Sequence, residues 1–235
     1  MPARNPLVTV GLPVHNSQEK YLPQSIESIL GQTYGDLTLL ISDNASTDAT
    51  ADICASYAAK DSRIVYHRHP RNIGAGPNHD WVAAQATGKY FKWASDDDYI
   101  LPEFLERCVA RLEAEPDAVL CHTQTRIARA EGDSFAKHYP GLDAARPSER
   151  FGVVILKPHW CVEQYGVLRT SALLRTELQA GYFGKDKVML AELALIGRFL
   201  HVPEPLFVNR DHPARAMRLA IDKRASFHDP RHAQP

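Results

Sequence analysis

Short apolar runs alternate along this chain with stretches whose apolar positions recur every three or four residues. Leu7-Val8-Thr9-Val10-Gly11-Leu12-Pro13 is a β-rich run stopped by its proline. A turn at Val14-His15-Asn16-Ser17 follows. Tyr21, Leu22, Ile26, Ile29 and Leu30 then fall at helical spacing, and Gly31 ends the run. Leu37-Thr38-Leu39-Leu40-Ile41-Ser42 is nearly all apolar, as a strand covered on both faces is. The polar loop 43–48 carries caps for a helix over 49–59, and Arg63-Ile64-Val65-Tyr66-His67 makes a third strand. A glycine-bearing loop at 71–78 leads to a helix through Trp81, Val82 and Ala86. A fourth strand starts at Gly88-Lys89-Tyr90-Phe91 and ends in Asp96-Asp97-Asp98. Pro102 opens a helix over 103–113, and Ala118-Val119-Leu120-Cys121-His122 is a fifth strand.

This alternation predicts an α/β class with a mainly parallel, twisted sheet and helices on both faces. Ligands bind such sheets at the carboxyl ends of strands, near the point where strand order reverses. The loops at 13–16, 43–48, 72–78 and 96–98 all lie at such ends, so four polar loops share one rim. Beyond Gln124 the alternation breaks down. Residues 130–149 read as a long loop rich in Gly, Pro, Asp and Arg, and 151–156 as a strand or a short helix. Tyr165 to Leu168 leads into a helix around 172–178. An apolar, helix-favouring segment spans 188–199, a last strand 201–208, and a charged tail starts at Pro213. No linker divides the chain, so 1–235 is expected to be one domain with halves 1–123 and 124–212 and a tail 213–235.

Composition adds exclusions. With 44% hydrophobic and 23% charged residues the chain is of ordinary globular type, and its net charge of -1 argues against bulk binding to nucleic acid. No apolar run nears the length of about 18 residues that a membrane span needs. The first residues carry no apolar signal-peptide core either. The expectation is a cytoplasmic protein whose membrane contact, if any, is peripheral. The four cysteines, widely spaced and without a Cys-x-x-Cys pair, read as reduced, buried thiols.

The candidate chemistry gathers at Asp96-Asp97-Asp98. Three adjacent carboxylates repel one another and need a cation, a ring of donors or open solvent. Hard oxygen ligands suit Mg2+ or Mn2+, and magnesium commonly binds through one or two carboxylates plus substrate phosphates. On the triplet alone, a solvated acidic turn capping the next helix is an equal reading.

Taken together, several blocks resemble the family 2 glycosyltransferases, whose nucleotide-sugar-binding fold is called GT-A. They are Val10-Gly11-Leu12-Pro13-Val14-His15-Asn16, Ser25 through Gln32-Thr33-Tyr34, 41–50, Arg71-Asn72-Ile73-Gly74, and Ala86-Thr87-Gly88-Lys89-Tyr90 running into the aspartates and Leu101-Pro102. The resemblance covers about the first 120 residues. It implies a Rossmann-like nucleotide-sugar half and a smaller acceptor half. It implies that Asp43 pairs with the base of a nucleoside diphosphate, UDP first, with Pro13, Asn16 and Asn72 bordering the pocket. Asp96 would contact the ribose, Asp97 would hold the metal, and Asp98 would be a second metal or sugar contact. Ser95 departs from the family pattern, standing where many members carry an acid.

In the second half, Asp186, eleven residues before Gly197, aligns with the family's catalytic base. Its other reading is a helix N-cap. Glu192 falls on roughly the opposite helix face. Asn209-Arg210-Asp211-His212 resembles a closing segment, with Arg210 on the diphosphate and His212 on the metal. Trp160, Glu163, Gln164 and Tyr165 are candidate acceptor contacts, with ordinary packing as the alternative. The reaction implied is inverting transfer of a sugar to an acceptor hydroxyl on a carbohydrate or glycolipid, as in polysaccharide synthesis. Two rivals are a sugar-phosphate nucleotidyltransferase and a non-catalytic nucleotide-sugar binder. The first is opposed by the lack of a glycine-rich basic loop after the first strand.

Overall fold

Val8–Val14 forms β1, every side chain of which is buried. A computed structural model of the chain describes residues 8–17, 20–158, 160–178 and 184–213. After β1 come α1 (Leu22–Leu30), β2 (Leu37–Asp43), α2 (Thr50–Ala58), β3 (Ile64–Arg68), α3 (Ala75–Ala84) and β4 (Tyr90–Trp93). The chain continues through β5 (Tyr99–Ile100), α4 (Phe104–Ala114), β6 (Ala118–Ala128) and β7 (Ser134–Phe135). Helix α5 (Pro147–Leu156), a 3-10 turn at Val162–Tyr165, β8 (Val167–Arg169), α6 (Thr170–Leu173), α7 (Lys185–Ile196) and β9 (Arg198–Arg210) complete it.

One sheet runs β3-β2-β1-β4-β8-β6-β9-β5, with β7 beside β6. From β1 the chain steps to β2 and β3 on one side and returns to β4 on the other. These pairings are parallel, so the carboxyl ends of β1 to β4 share one edge, with the reversal between β1 and β4. Strands β8 and β5 pair antiparallel with their neighbours, whereas β6 and β9 are parallel.

Strand alternation sorts the core into two layers. Val8, Val10, Leu12, Leu39, Ile41 and Tyr90 join Leu22, Ile26 and Cys54 on one face. Leu40, Phe91 and Trp93 join Val82, Met189, Leu190 and Leu193 on the other. All four cysteines are buried free thiols. Among the described residues no helix is long and apolar enough to cross a membrane.

The second half departs from its sequence reading in four places. Segment 151–156 is the end of a helix that begins at Pro147, inside the expected long loop. The expected helix at 172–178 is the single turn α6. Helix α7 starts and ends earlier than the apolar run, because Gly197 stops it and 198–199 already belong to β9. Strands β6 and β9 are longer than the apolar runs that announced them, because they pair with each other along most of their length. The tail beyond Pro213 lies outside the described residues.

Irregularity in β9 serves the site. Its register against β6 jumps from Thr123↔Val202 to Thr125↔Phe207. Pro203 and Pro205 lie inside that jump and have no N–H to give a ladder. Beyond the bulge β9 takes β5 as an antiparallel partner at Tyr99↔Val208 and Ile100↔Phe207. The same register sets the aspartate loop beside Asn209 and Arg210.

Gly11 shows how closely the layers meet. A Cβ there would lie 2.8 Å from Phe91 Cζ and 2.8 Å from Val82 Cβ. The bare backbone lets α3 close onto β1. Gly11→Ala is expected to lower unfolding stability by about 1–3 kcal/mol through overpacking, measured by denaturant titration. Wild-type stability in that variant would mean the contact yields freely.

Candidate active site

The polar rim is built from four strand ends. After β1, Asn16 adopts a left-handed backbone with φ 48, a conformation asparagine tolerates. Its N–H donates to Ser46 Oγ at 3.0 Å, and its Oδ1 accepts from Thr47 N at 2.8 Å. Pro13, in β1, pairs with Ser42 beside it. The turn after β1 is thereby fastened to the loop after β2. Asn44 does the same for the loop after β3. Its Nδ2 donates to Asn72 Oδ1 at 2.9 Å and its Oδ1 accepts from Ile73 N at 2.7 Å. Asn72 Oδ1 also accepts from Gly74 N, and its Nδ2 lies 3.1 Å from His15 Nε2.

Asp43 sits at the end of β2 with 0% exposure. Its Oδ1 accepts from Ser46 N at 2.8 Å and its Oδ2 from the Tyr66 hydroxyl at 2.9 Å. Arg68 Nε lies 3.4 Å from the same oxygen, and Arg68 Nη2 donates to Ser46 O. The carboxylate expected to read a base is therefore covered. Arg68, half exposed, is the group that meets solvent there. Asp43 and Asp96 both act on the Cys54 thiol. Burial first, then Asp43 and Asp96, push that thiol up to about 12.

Each aspartate of the triplet has a different neighbourhood. Burial and the neighbouring Asp97 charge raise Asp96 to about 6, opposed by the facing Ser17 hydroxyl. Asp97 is half-buried. Its Oδ1 accepts from the Ser95 hydroxyl and its Oδ2 lies 3.0 Å from His212 Nε2. Asp98 is 2% exposed; Asn209 Nδ2 donates to its Oδ2 at 2.9 Å and Arg210 N to its Oδ1 at 2.8 Å. Lys92, buried beneath in β4, donates to Trp93 O, and burial lowers its amine to about 7 against the pull of Cys108 and Asp98.

Arg210 and His212 arrive from the end of β9. The Arg210 guanidinium donates to Asp97 O and to Gln24 Oε1, with its carbon 4.8 Å from the Tyr21 ring centre and 4.5 Å from that of Tyr99. His212 lies against Tyr21 at 5.1 Å between ring centres. The first turns of α1 hold the loop from below. Ser25 Oγ donates to Ser95 O at 2.7 Å, and Ser28 Oγ accepts from Ile100 N at 3.3 Å. Gln32 bonds Leu101 O and Leu105 N at 2.8 and 2.9 Å.

A second group lies on the other half. Asp186, in the first turn of α7, accepts from Lys187 N at 2.8 Å and from the Cys161 thiol. Burial, then the Asp186 and Glu163 charges, push that thiol up, so it stays protonated and donates. Glu163, expected to hold acceptor hydroxyls, is 3% exposed, and its charge is felt by His122 and His201 instead. Gln164 is likewise buried and Tyr165 packs against both core layers. Trp160 is 57% exposed and lies under Arg129, whose Nε reaches Asp211 at 2.8 Å, one residue before His212. His138 stacks on His201 at 4.0 Å, with His122 5.0 Å from His201.

Several of these residues carry no local sequence signal. Tyr21, Gln24 and Arg68 become part of the rim only through pairings remote in sequence, and the imidazole cluster of the other half assembles in the same way. His15, Asn44 and Ser46, by contrast, lay inside blocks already singled out.

Comparison with known proteins accords with this geometry. The sequence profile described as Glycosyl transferase family 2 matches residues 9–166. An uncharacterised glycosyltransferase of Methanocaldococcus jannaschii is 36% identical over 113 residues, 48% of this chain and 39% of that protein. TarS of S. aureus, in a crystal structure with UDP-GlcNAc, superposes with TM-score 0.72 at 18% identity, covering 92% of this chain and 63% of that one. A mannosyltransferase of Pyrobaculum calidifontis, in complex with GDP-Man and Mn2+, gives TM-score 0.64 at 18% identity over 88% of this chain and 58% of that one. The chain thus spans less than two thirds of each of these proteins, and the two structural likenesses speak for the GT-A fold alone. Matched over most of its described length, the chain belongs to glycosyl transferase family 2.

Proposed function

We propose that the chain transfers a glycosyl group from a nucleoside diphosphate sugar to an acceptor hydroxyl, with inversion at the anomeric carbon. The observation that carries this reading is the meeting of Asp97 and His212 at 3.0 Å on the rim where β1 to β4 end. Two ligands on adjacent positions of an ion, each at about 2.1 Å, are about 3 Å apart, so the pair suits Mg2+ or Mn2+. An imidazole meets a cation as its Nδ1–H tautomer, with the Nε2 lone pair turned to the ion. Among the described residues no group of three His, Cys, Asp or Glu side chains is arranged to hold an ion. The remaining positions fall to donor phosphates and water, as is usual for magnesium. When bound, the ion would offset the charge that develops on the leaving diphosphate.

The chain's own groups do the rest. Arg210 has five N–H donors, two of them engaged with Asp97 O and Gln24, and the others are placed to bind diphosphate oxygens. The rim of Asn16, Asn72, His15 and Arg68 borders the nucleoside. Asp96 faces the ribose from beside Ser17. Asp186 is the general base, taking the proton of the acceptor hydroxyl as it attacks from the face opposite the diphosphate. The Cys161 thiol donor fixes that carboxylate's direction. Trp160 offers an exposed aromatic face to the acceptor. Asp98 is read as a tether, because it is 2% exposed and both its oxygens accept from the β9 end. UDP and Mn2+ are the first donor nucleotide and ion to test, because structural neighbours hold UDP-GlcNAc, and GDP-Man with Mn2+. The acceptor is a carbohydrate or glycolipid.

Three substitutions separate these roles. Asp97→Asn is expected to weaken Mn2+-dependent UDP binding at least tenfold by calorimetry, whereas unchanged binding would remove Asp97 from the metal. Asp186→Asn should cut turnover by roughly 10²–10⁴-fold with UDP binding kept within about twofold. A turnover equal to wild type would end the base assignment. Asp98→Asn should cost about 1–3 kcal/mol of unfolding free energy while the folded variant binds Mn2+ and UDP as wild type does. Loss of metal at undiminished stability would make Asp98 a ligand after all.

A further inference from the structure

Ser95 stands at the one position of the aspartate loop where this chain departs from the family pattern, and its contacts give it a task. Its carbonyl accepts from Ser25 Oγ of α1 at 2.7 Å. Its hydroxyl donates to Asp97 Oδ1. Asp97 Oδ2 is then the oxygen that faces His212, at 3.0 Å. Ser95 thus engages Oδ1 and leaves Oδ2 facing the imidazole that comes from the far end of the chain. A carboxylate turns readily about its last bond unless it is engaged. Here the engagement runs from Ser25 of α1 through Ser95 to Asp97.

We propose that Ser95 is a positioning residue for the cation: its hydroxyl fixes the Asp97 carboxylate so that one oxygen points at the place shared with His212. The proposal rests on the metal reading above and adds to it. The make-up of the loop favours a hydroxyl here. An acid at 95 would add a fourth carboxylate to three adjacent ones, which already repel one another. An acid would also accept where Asp97 needs a donor. Serine supplies that donor without charge, and its effect on the ion is indirect, as with other groups that orient a metal ligand.

The test uses the full chain with UDP present and Mn2+ as the varied component. Free Mn2+ is read by electron paramagnetic resonance, heat by calorimetry, and turnover as a function of Mn2+ concentration. Ser95→Ala is expected to weaken Mn2+ binding about tenfold and raise the Mn2+ needed for half-maximal turnover by the same factor. Its kcat at saturating Mn2+ should stay within about twofold, and its melting temperature should stay near wild type. Ser95→Thr, which keeps the hydroxyl, should hold Mn2+ within about twofold. If Ser95→Ala does not fold, Ser95→Cys, close in size but a weak donor, reads the same loss. Wild-type Mn2+ affinity in the alanine or cysteine variant would overturn the proposal and leave the metal reading standing. Equal losses in the alanine and threonine variants would overturn it too, because the hydroxyl would not be the agent. A wild-type chain that shows no Mn2+ response with UDP would overturn both.

Discussion

Adjacent carboxylates cannot share one small volume at neutral pH without compensation, and this fold compensates them by sending each in a different direction. Asp98 goes into the protein, where Asn209 and the Arg210 amide satisfy both of its oxygens. Asp97 stays at the surface of the rim between Ser95 and His212. Asp96 turns toward Ser17 beside the end of β1. A buried carboxylate left unpaired would cost several kcal/mol. The Asp98 contacts thus remove that cost for one of the three carboxylates.

Three elements enforce that partition. The proline bulge in β9 shifts its register on β6, and beyond it the last residues lie between β6 on one edge and β5 on the other. That pairing brings Asn209, Arg210 and His212 alongside the loop. Helix α1 supports it from the other side through Gln24, Ser25 and Ser28, as does Gln32 just past the end of the helix. The stretch from Ser25 to Gln32 is therefore scaffolding for the aspartates: its polar side chains take up backbone groups of 95–105 that the two-residue β5 leaves unpaired. The asparagines do similar work at the ends of β1 to β3, where Asn16, Asn44 and Asn72 tie three strand ends together.

Much of this was legible in the amino-acid order, and the rest was not for definite reasons. The first half alternates apolar strands with helices of similar length, so its sheet and rim could be read from local pattern. The closeness of 43–48, 72–78 and 96–98 follows from parallel topology alone. The second half defeats such reading because its order comes from distant partners. Asp98 and Asn209 are 111 positions apart, and Asp97 and His212 are 115. Strands β5 and β8 are too short to show alternation. Exposure is equally hidden. Asp43 and Glu163 are charged residues by sequence, yet both are buried, one by Tyr66 and Arg68 and the other near an imidazole cluster. Type and spacing named candidate carboxylates; packing separates the exposed ones from those buried in the frame.

The division of labour among the three aspartates is the central claim, and a crystal structure of the chain with UDP and Mn2+, using the anomalous signal of manganese, tests it directly. The account predicts one manganese peak within bonding distance of Asp97 and of the UDP diphosphate, with Asp98 still bonded to Asn209 and Arg210. A peak bonded to Asp98 and remote from Asp97, or UDP bound with no manganese beside its diphosphate, would contradict it.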